Sequence, residues 1–185
     1  MGAGKSSVGA LLAQKLDYTF VETDRLIESQ TGMSISDLFK YKGEAQFREF
    51  ESKIVQEVSL HSNQVIALGG GAFVNVQNRE ILSQSGIVIY LCASVEALAQ
   101  RIQSEVQNER QIELMKRPLL SSLANIKNST DLKTALENKL QDILESRKTS
   151  YECADYQIDT TGQSPLEVVE TLCKNLPKWQ KAKTC

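Results

Sequence analysis

The sequence predicts a three-layer α/β/α fold built on a parallel sheet. Three observations carry the prediction. Helical patterns and short strand patterns alternate along the chain, as in successive strand–helix–strand units. Gly4-Lys5-Ser6 is the tail of the phosphate-binding pattern G-x-x-x-x-G-K-[S/T] and runs straight into an amphipathic stretch. The apolar run Gln64-Val65-Ile66-Ala67-Leu68 ends in Gly69-Gly70-Gly71, the way a buried parallel strand ends at a ligand site.

The elements follow in order. Val8, Leu11, Leu12 and Leu16 recur at helical spacing, so a buried helix starts at the phosphate motif. Tyr18 to Val21 reads as a strand that ends at Glu22-Thr23-Asp24. Ile35 to Tyr41 is a short helix capped by Ser34 or Ser36. A break at Gly43 precedes a longer helix with Phe47, Phe50, Ile54, Val55 and Val58 on one face. The strand at 64–68 is followed by a helix over Val76 to Ser85 and a second apolar strand, Ile87 to Leu91. Ser94 caps the next helix. From about Glu105 to Lys116 the chain is polar and weakly periodic, a surface segment closed off by Arg117-Pro118-Leu119-Leu120. Leu132, Leu136, Leu140, Ile143 and Leu144 mark a long amphipathic helix reaching about Tyr151. Tyr156 to Thr160 is the last strand. Ser164-Pro165-Leu166-Glu167 opens a final helix with an N-cap, a proline in the first turn and a capping-box glutamate. That helix is expected to end before Pro177, which gives one domain over 1–177 and a frayed tail over 178–185.

Four strands fall within the chain. The first glycine of the phosphate motif, and the strand that launches it, would lie ahead of Met1. That strand is the central one, so the expected sheet lacks its middle member. Two unpaired edges and an uncovered core follow, with poor stability as the consequence.

Composition narrows the function. The chain has 185 residues, 41% hydrophobic and 24% charged, with a net charge of −2. That balance gives no electrostatic case for nucleic acid or a membrane surface. No apolar run approaches the roughly 20 residues that span a bilayer, and no leader pattern is recognised. Cys92, Cys153, Cys173 and Cys185 show no C-x-x-C spacing and read as reduced cytosolic thiols. His61, the single histidine, has no metal-ligand partner at useful spacing and reads as a surface loop residue.

Three features fall at the carboxyl ends of strands: the phosphate loop, Glu22-x-Asp24 and Gly69-Gly70-Gly71. Lys5 suits β- and γ-phosphates, and the Ser6 hydroxyl suits Mg²⁺. Asp24 is either a base or orienting acceptor for a hydroxyl, or a plain helix cap. Glu22 is placed to hold Mg²⁺ waters. The glycines admit a substrate close to the backbone, where an ordinary tight turn is the alternative. Arg48, Arg117 and Arg147 are each ordinary surface charges when taken singly. Two of them aimed at one cleft would fix an anionic substrate.

Taken in order, Gly-Ala-Gly-Lys-Ser-Ser, Glu-Thr-Asp, Gly-Glu-x-x-Phe-Arg-x-x-Glu, Ala-Leu-Gly-Gly-Gly-Ala, Arg-Pro-Leu-Leu and Arg-x-x-x-Tyr resemble the shikimate kinase family from Gly2 to about Val169. The resemblance implies a P-loop kinase fold and a monomeric, Mg²⁺-dependent transfer of the γ-phosphate of ATP to the 3-hydroxyl of shikimate. It implies that Gly2, Ala3, Gly4, Lys5, Ser6 and Ser7 wrap the ATP phosphates, with Ser6 on Mg²⁺. Asp24 would serve the hydroxyl, Arg48 and Arg147 the shikimate carboxylate, and the Gly70 backbone the ring. Arg117 would act on the transferring phosphate as a lid over about 105–116 closes. Gln163, and less surely Arg101, would lie beside adenine. Three positions depart from the family: the first strand and glycine are absent, Glu22 replaces the usual aspartate, and Ser150 replaces the usual proline before the tyrosine. A kinase for another hydroxy acid such as gluconate and a non-catalytic binding module are the rival readings.

Overall fold

The computed structural model describes residues 2–106, 114, 117–126 and 128–183. Its elements are α1 (Lys5–Leu16), β1 (Thr19–Glu22), α2 (Thr23–Thr31), α3 (Ile35–Ser59), β2 (Gln64–Ala67), a 3₁₀ turn (Ala72–Val74), α4 (Val76–Ser85), β3 (Ile89–Cys92), α5 (Val95–Val106), a second 3₁₀ turn (Pro118–Leu123), α6 (Ser129–Tyr151), β4 (Tyr156–Asp159) and α7 (Pro165–Lys183). Each predicted strand is present, displaced by a residue or two at its ends.

Local chemistry sets the helix starts. Ser34 Oγ accepts from the Asp37 amide at 3.1 Å, which settles the cap of α3 in favour of Ser34. Asn75 Oδ1 caps α4 by accepting from the Gln77 amide at 2.8 Å. At α7 the predicted box closes in both directions: Glu167 Oε2 accepts from the Ser164 amide at 2.7 Å, and Ser164 Oγ accepts from the Glu167 amide at 3.4 Å. Gly43, at φ 82° and ψ 166°, puts a kink in α3 where a break is predicted. One boundary differs. The last helix runs through Pro177 to Lys183 instead of ending before it. A proline removes one intrahelical bond, yet its fixed φ is itself helical, so the backbone continues past it. The predicted lid falls mostly on 107–113 and 115–116, outside the described residues.

β1 pairs with β2 and β3 pairs with β4, both parallel, in two separate two-stranded sheets. Both β2 and β3 line one apolar cleft of about 1060 Å³. Val8 and Leu12 of α1 line it as well, together with Phe73 and Leu140. The free edges of β2 and β3 therefore face one space, which is where the expected central strand would lie. The core is divided accordingly. One cluster joins α1 to β4 and α7 through Val8, Leu12, Ile158, Val168 and Leu172. Another joins α2 to α3 through Ile27, Leu38, Phe47 and Ile54. A third packs α5 and α6 through Leu98, Ile102, Leu132, Leu136 and Leu140. No helix among the described residues is long and apolar enough to cross a membrane.

The two edges and the apolar walls specify what would fill the cleft: one parallel strand, apolar on both faces. Fusing a five- or six-residue Val/Ile-rich strand ahead of residue 1 should raise the melting temperature by about 10 °C or more, because each buried aliphatic side chain contributes roughly 1.5–3 kcal/mol before entropy is charged against it. A fusion of the same length that alternates Val with Lys is the control. Equal melting temperatures for the two fusions would show that the cleft does not accept a strand.

Candidate active site

The site forms where α1 and α2 begin and where β2 ends. Gly2 and Gly4 hold left-handed backbone angles, φ 69° and 83°, which few other residues tolerate. This curls the loop so that α1 starts at Lys5 with its amides facing outward. Arg101 fixes the loop from α5. Its Nη1 donates to the Gly2 carbonyl and to Thr160 Oγ1, both at 3.1 Å, and its Nη2 donates to the Thr160 carbonyl at 2.5 Å. Beside the loop is a cavity of about 260 Å³ lined by Gly2, Ser7, Arg101, Ser104, Thr160 and Gln163. Gln163 is held there by donating to the Asp159 carbonyl at 2.8 Å.

Lys5 stands behind the loop. Its ammonium is held below its ordinary pKa by burial, against the pull of Asp24 and Glu22, and the nearby positive charge of Arg147 and Arg117 adds to the lowering. A bound polyanion would reverse that balance. The Ser6 hydroxyl donates to the Glu22 carboxylate, which also pairs with Arg25 at 2.7 Å. Two hard oxygen donors thus adjoin at the start of α1. That fits Mg²⁺, which takes one or two protein oxygens and keeps the rest of its shell as water and phosphate.

Asp24 does not cap α2. Glu22 occupies the N-cap position, and Asp24 lies in the first turn. Its carboxylate lies against Gly69. Crowding by protein atoms raises its pKa, Lys5 opposes the rise, and Glu28 and Glu22 reinforce it. The residue opens on one side to water, which tempers the effect.

Four charged side chains close on three consecutive glycines. A Cβ on Gly69 would collide with Asp24 and would stand 2.9 Å from Glu51 Oε1. One on Gly70 would stand 3.1 Å from Arg147 Nη1, and one on Gly71 would fall on the Arg48 guanidinium. Arg147 Nη1 donates to the Gly70 carbonyl at 2.7 Å, and the Tyr151 hydroxyl donates to the same oxygen at 2.6 Å. Arg48 pairs with Glu51 at 2.8 Å and with the exposed Glu44 at 2.9 Å, and it lies over the Phe47 ring at 5.2 Å. The structure therefore brings Asp24, Arg48, Gly70 and Arg147 to one loop, with Asp24 and Arg147 within electrostatic reach of Lys5. Arg117 opens the second 3₁₀ turn, its carbonyl accepting from the Leu120 amide at 2.8 Å. His61 is exposed, and Cys92, Cys153 and Cys173 are free thiols.

Four residues that build this site have no role in the sequence reading, although Glu51 and Tyr151 stand in its motifs. Glu51 is 1% exposed; burial raises its pKa, Arg48 opposes that, and Asp24 adds to it. Tyr151 shares Gly70 with Arg147. Thr23 is fully buried, and its Oγ1 accepts from the Gly69 amide at 2.8 Å, tying the end of β1 to the end of β2. Thr160 receives Arg101. Spacing carried a signal for two of them: Glu51 follows Arg48 by three residues and Tyr151 follows Arg147 by four, one helical turn each.

Comparison with known proteins agrees with this geometry. A family model described as shikimate kinase matches residues 1–177. A shikimate kinase of Thermodesulfovibrio yellowstonii is 35% identical over 184 residues, covering 100% of this chain and 95% of the relative. One from Geobacter sulfurreducens is 37% identical over 169 residues, covering 91% and 82%. Among solved structures, the Acinetobacter baumannii shikimate kinase in complex with shikimate superposes with a TM-score of 0.80 at 34% identity, over 96% of this chain and 89% of that one. The Bacteroides thetaiotaomicron shikimate kinase gives a TM-score of 0.79 at 28% identity, over 96% and 94%. The rival readings, a kinase for another hydroxy acid and a non-catalytic module, give way to this agreement. A phosphate loop facing an arginine-lined glycine turn, in a chain matched along its whole length by such relatives, belongs to an ATP- and Mg²⁺-dependent member of the shikimate kinase family.

Proposed function

We propose that the residues at this strand rim divide the transfer of the γ-phosphate of ATP to the 3-hydroxyl of shikimate among them as follows. Arg48 and Arg147 grip the shikimate carboxylate, and the Gly70 backbone lies against the ring. Exposed Glu44 occupies a position on Arg48 that a substrate carboxylate can take over, while buried Glu51 keeps the guanidinium aimed. Asp24 accepts the proton of the hydroxyl as its oxygen bonds to the γ-phosphorus, and the bond from that phosphorus to the ADP oxygen breaks. The raised pKa of Asp24 makes it a better proton acceptor than an ordinary carboxylate. Gly2 to Ser7 and Lys5 hold the phosphates, and Gln163 and Arg101 border the base. Ser6, with Glu22 behind it, would hold Mg²⁺, which neutralises charge on the phosphate oxygens. Arg117 meets the transferring phosphate as the lid over 105–116 excludes water. The single observation that carries this reading is the convergence of Asp24, Arg48 and Arg147 on Gly69–Gly71. We take the working unit to be a cytosolic monomer with one domain over 1–177, bound to neither nucleic acid nor membrane.

Asp24→Asn should abolish turnover and leave nucleotide affinity nearly unchanged, measured by coupled assay and by calorimetry with ADP. Normal turnover in this variant would remove Asp24 from the chemistry. Arg147→Ala should raise the shikimate KM by roughly tenfold or more, as loss of a charge-assisted contact does, while the ATP KM stays put. Equal rises in both constants would deny it the carboxylate.

The acidic groups also set a pH dependence. The raised pKa of Asp24 means that the folded chain holds a proton which the unfolded chain releases. Its contribution to stability is greatest below the unfolded carboxylate pKa, about 4, and is lost as pH rises through the folded value. Asn cannot ionise. The melting temperature of Asp24→Asn should therefore exceed that of the parent at pH 8, and the gap should shrink toward pH 4. A gap that stays constant across this range would contradict the assignment.

A further inference from the structure

A third arginine works on the glycine loop without facing the substrate. Arg79 of α4 turns back toward the start of its own helix. Its Nη1 donates to the carbonyls of Phe73 at 3.0 Å and Val74 at 2.7 Å, and to Ser150 Oγ at 3.2 Å. The remaining carbonyl of that 3₁₀ turn, on Ala72, accepts from Asn78 Nδ2 at 3.0 Å. Side chains of α4 therefore bind every carbonyl of the turn. The turn is continuous with the loop, because the Ala72 amide donates to Gly69 and the Val74 amide donates to Gly71. On the other side of Arg79, Ser150 lies three residues beyond Arg147 and one before Tyr151, the two side chains that share the Gly70 carbonyl. Arg79 thus touches the loop assembly and the helix that carries the carboxylate-binding arginine.

We infer that Arg79 and Ser150 form a positioning pair that sets the distance between the Gly69–Gly71 loop and Arg147, and so tunes shikimate affinity without contacting shikimate. The inference rests on the proposed role of Arg147. Neither residue lines the cavity beside the phosphate loop, so the expected effect falls on shikimate.

The test is steady-state kinetics on both substrates, together with melting temperatures. Ser150→Ala should raise the shikimate KM roughly threefold and Arg79→Gln roughly tenfold, with ATP KM and kcat unchanged. Ser150→Thr keeps the hydroxyl and should restore the parent value. The double variant Arg79→Gln/Ser150→Ala should be no worse than Arg79→Gln alone, because the second change removes an interaction already lost. A lower melting temperature with unchanged shikimate KM would overturn the inference, as would equal rises in both KM values. If Arg79 variants are insoluble, the Ser150→Ala and Ser150→Thr comparison decides alone. Failure of the Arg147→Ala prediction would remove the underlying reading. A normal Arg147 result with inert Arg79 and Ser150 variants would remove only this pair.

Discussion

A methyl group on Gly69 would fall on Asp24, one on Gly70 would crowd the guanidinium of Arg147, and one on Gly71 would fall on that of Arg48. The site depends on this exclusion. Two cations and a carboxylate come close to consecutive residues that have no side chains. A side chain there would push the ends of charged groups away from the partners they now hold. The loop is also anchored from three directions. Thr23 holds the Gly69 amide, Arg147 and Tyr151 hold the Gly70 carbonyl, and Arg79 holds the turn that follows. A backbone fixed in this way acts as a ruler for the groups around it.

The charges on that ruler are held away from their comfortable states. Lys5 is pushed toward neutrality by burial, and Asp24 is pushed toward protonation. Arg48 is compensated by Glu51 and Glu44, which set its orientation. An anion bound beside Lys5 would oppose the shift of that lysine, so anion binding and the stability of this end of the sheet would be thermodynamically linked.

The parts of the chain that could be read in advance are those whose cause is local. Caps at Ser34, Ser94 and Ser164, the kink at Gly43 and the apolar strands each depend on a few neighbouring residues. The parts that could not be read depend on residues far apart in sequence. Arg101 reaches Gly2 across 99 positions, and Arg79 reaches Ser150 across 71. No spacing rule joins such pairs, and each residue alone looks like a surface cation. Glu51 is intermediate. Its helical offset from Arg48 was visible, but its burial is a property of the packed site. Pro177 misled for the opposite reason: a strong local signal was overridden by a backbone that continues in the same helical path.

The cleft between the sheets reaches this same rim. Lys5, Gly69, Gly70 and Arg147 border it at one end, while Val65, Ile66, Ile89 and Leu91 line its length. Core packing and catalytic geometry are therefore a single problem in this molecule. β2 carries the glycine loop at its carboxyl end, and β3 leads into α5, whose Arg101 holds Gly2. The spacing of β2 from β3 consequently sets the distance between the glycine loop and the phosphate loop. Packing through α1 and contacts such as Arg101 to Gly2 tie that distance, and in-line phosphoryl transfer is steeply sensitive to it.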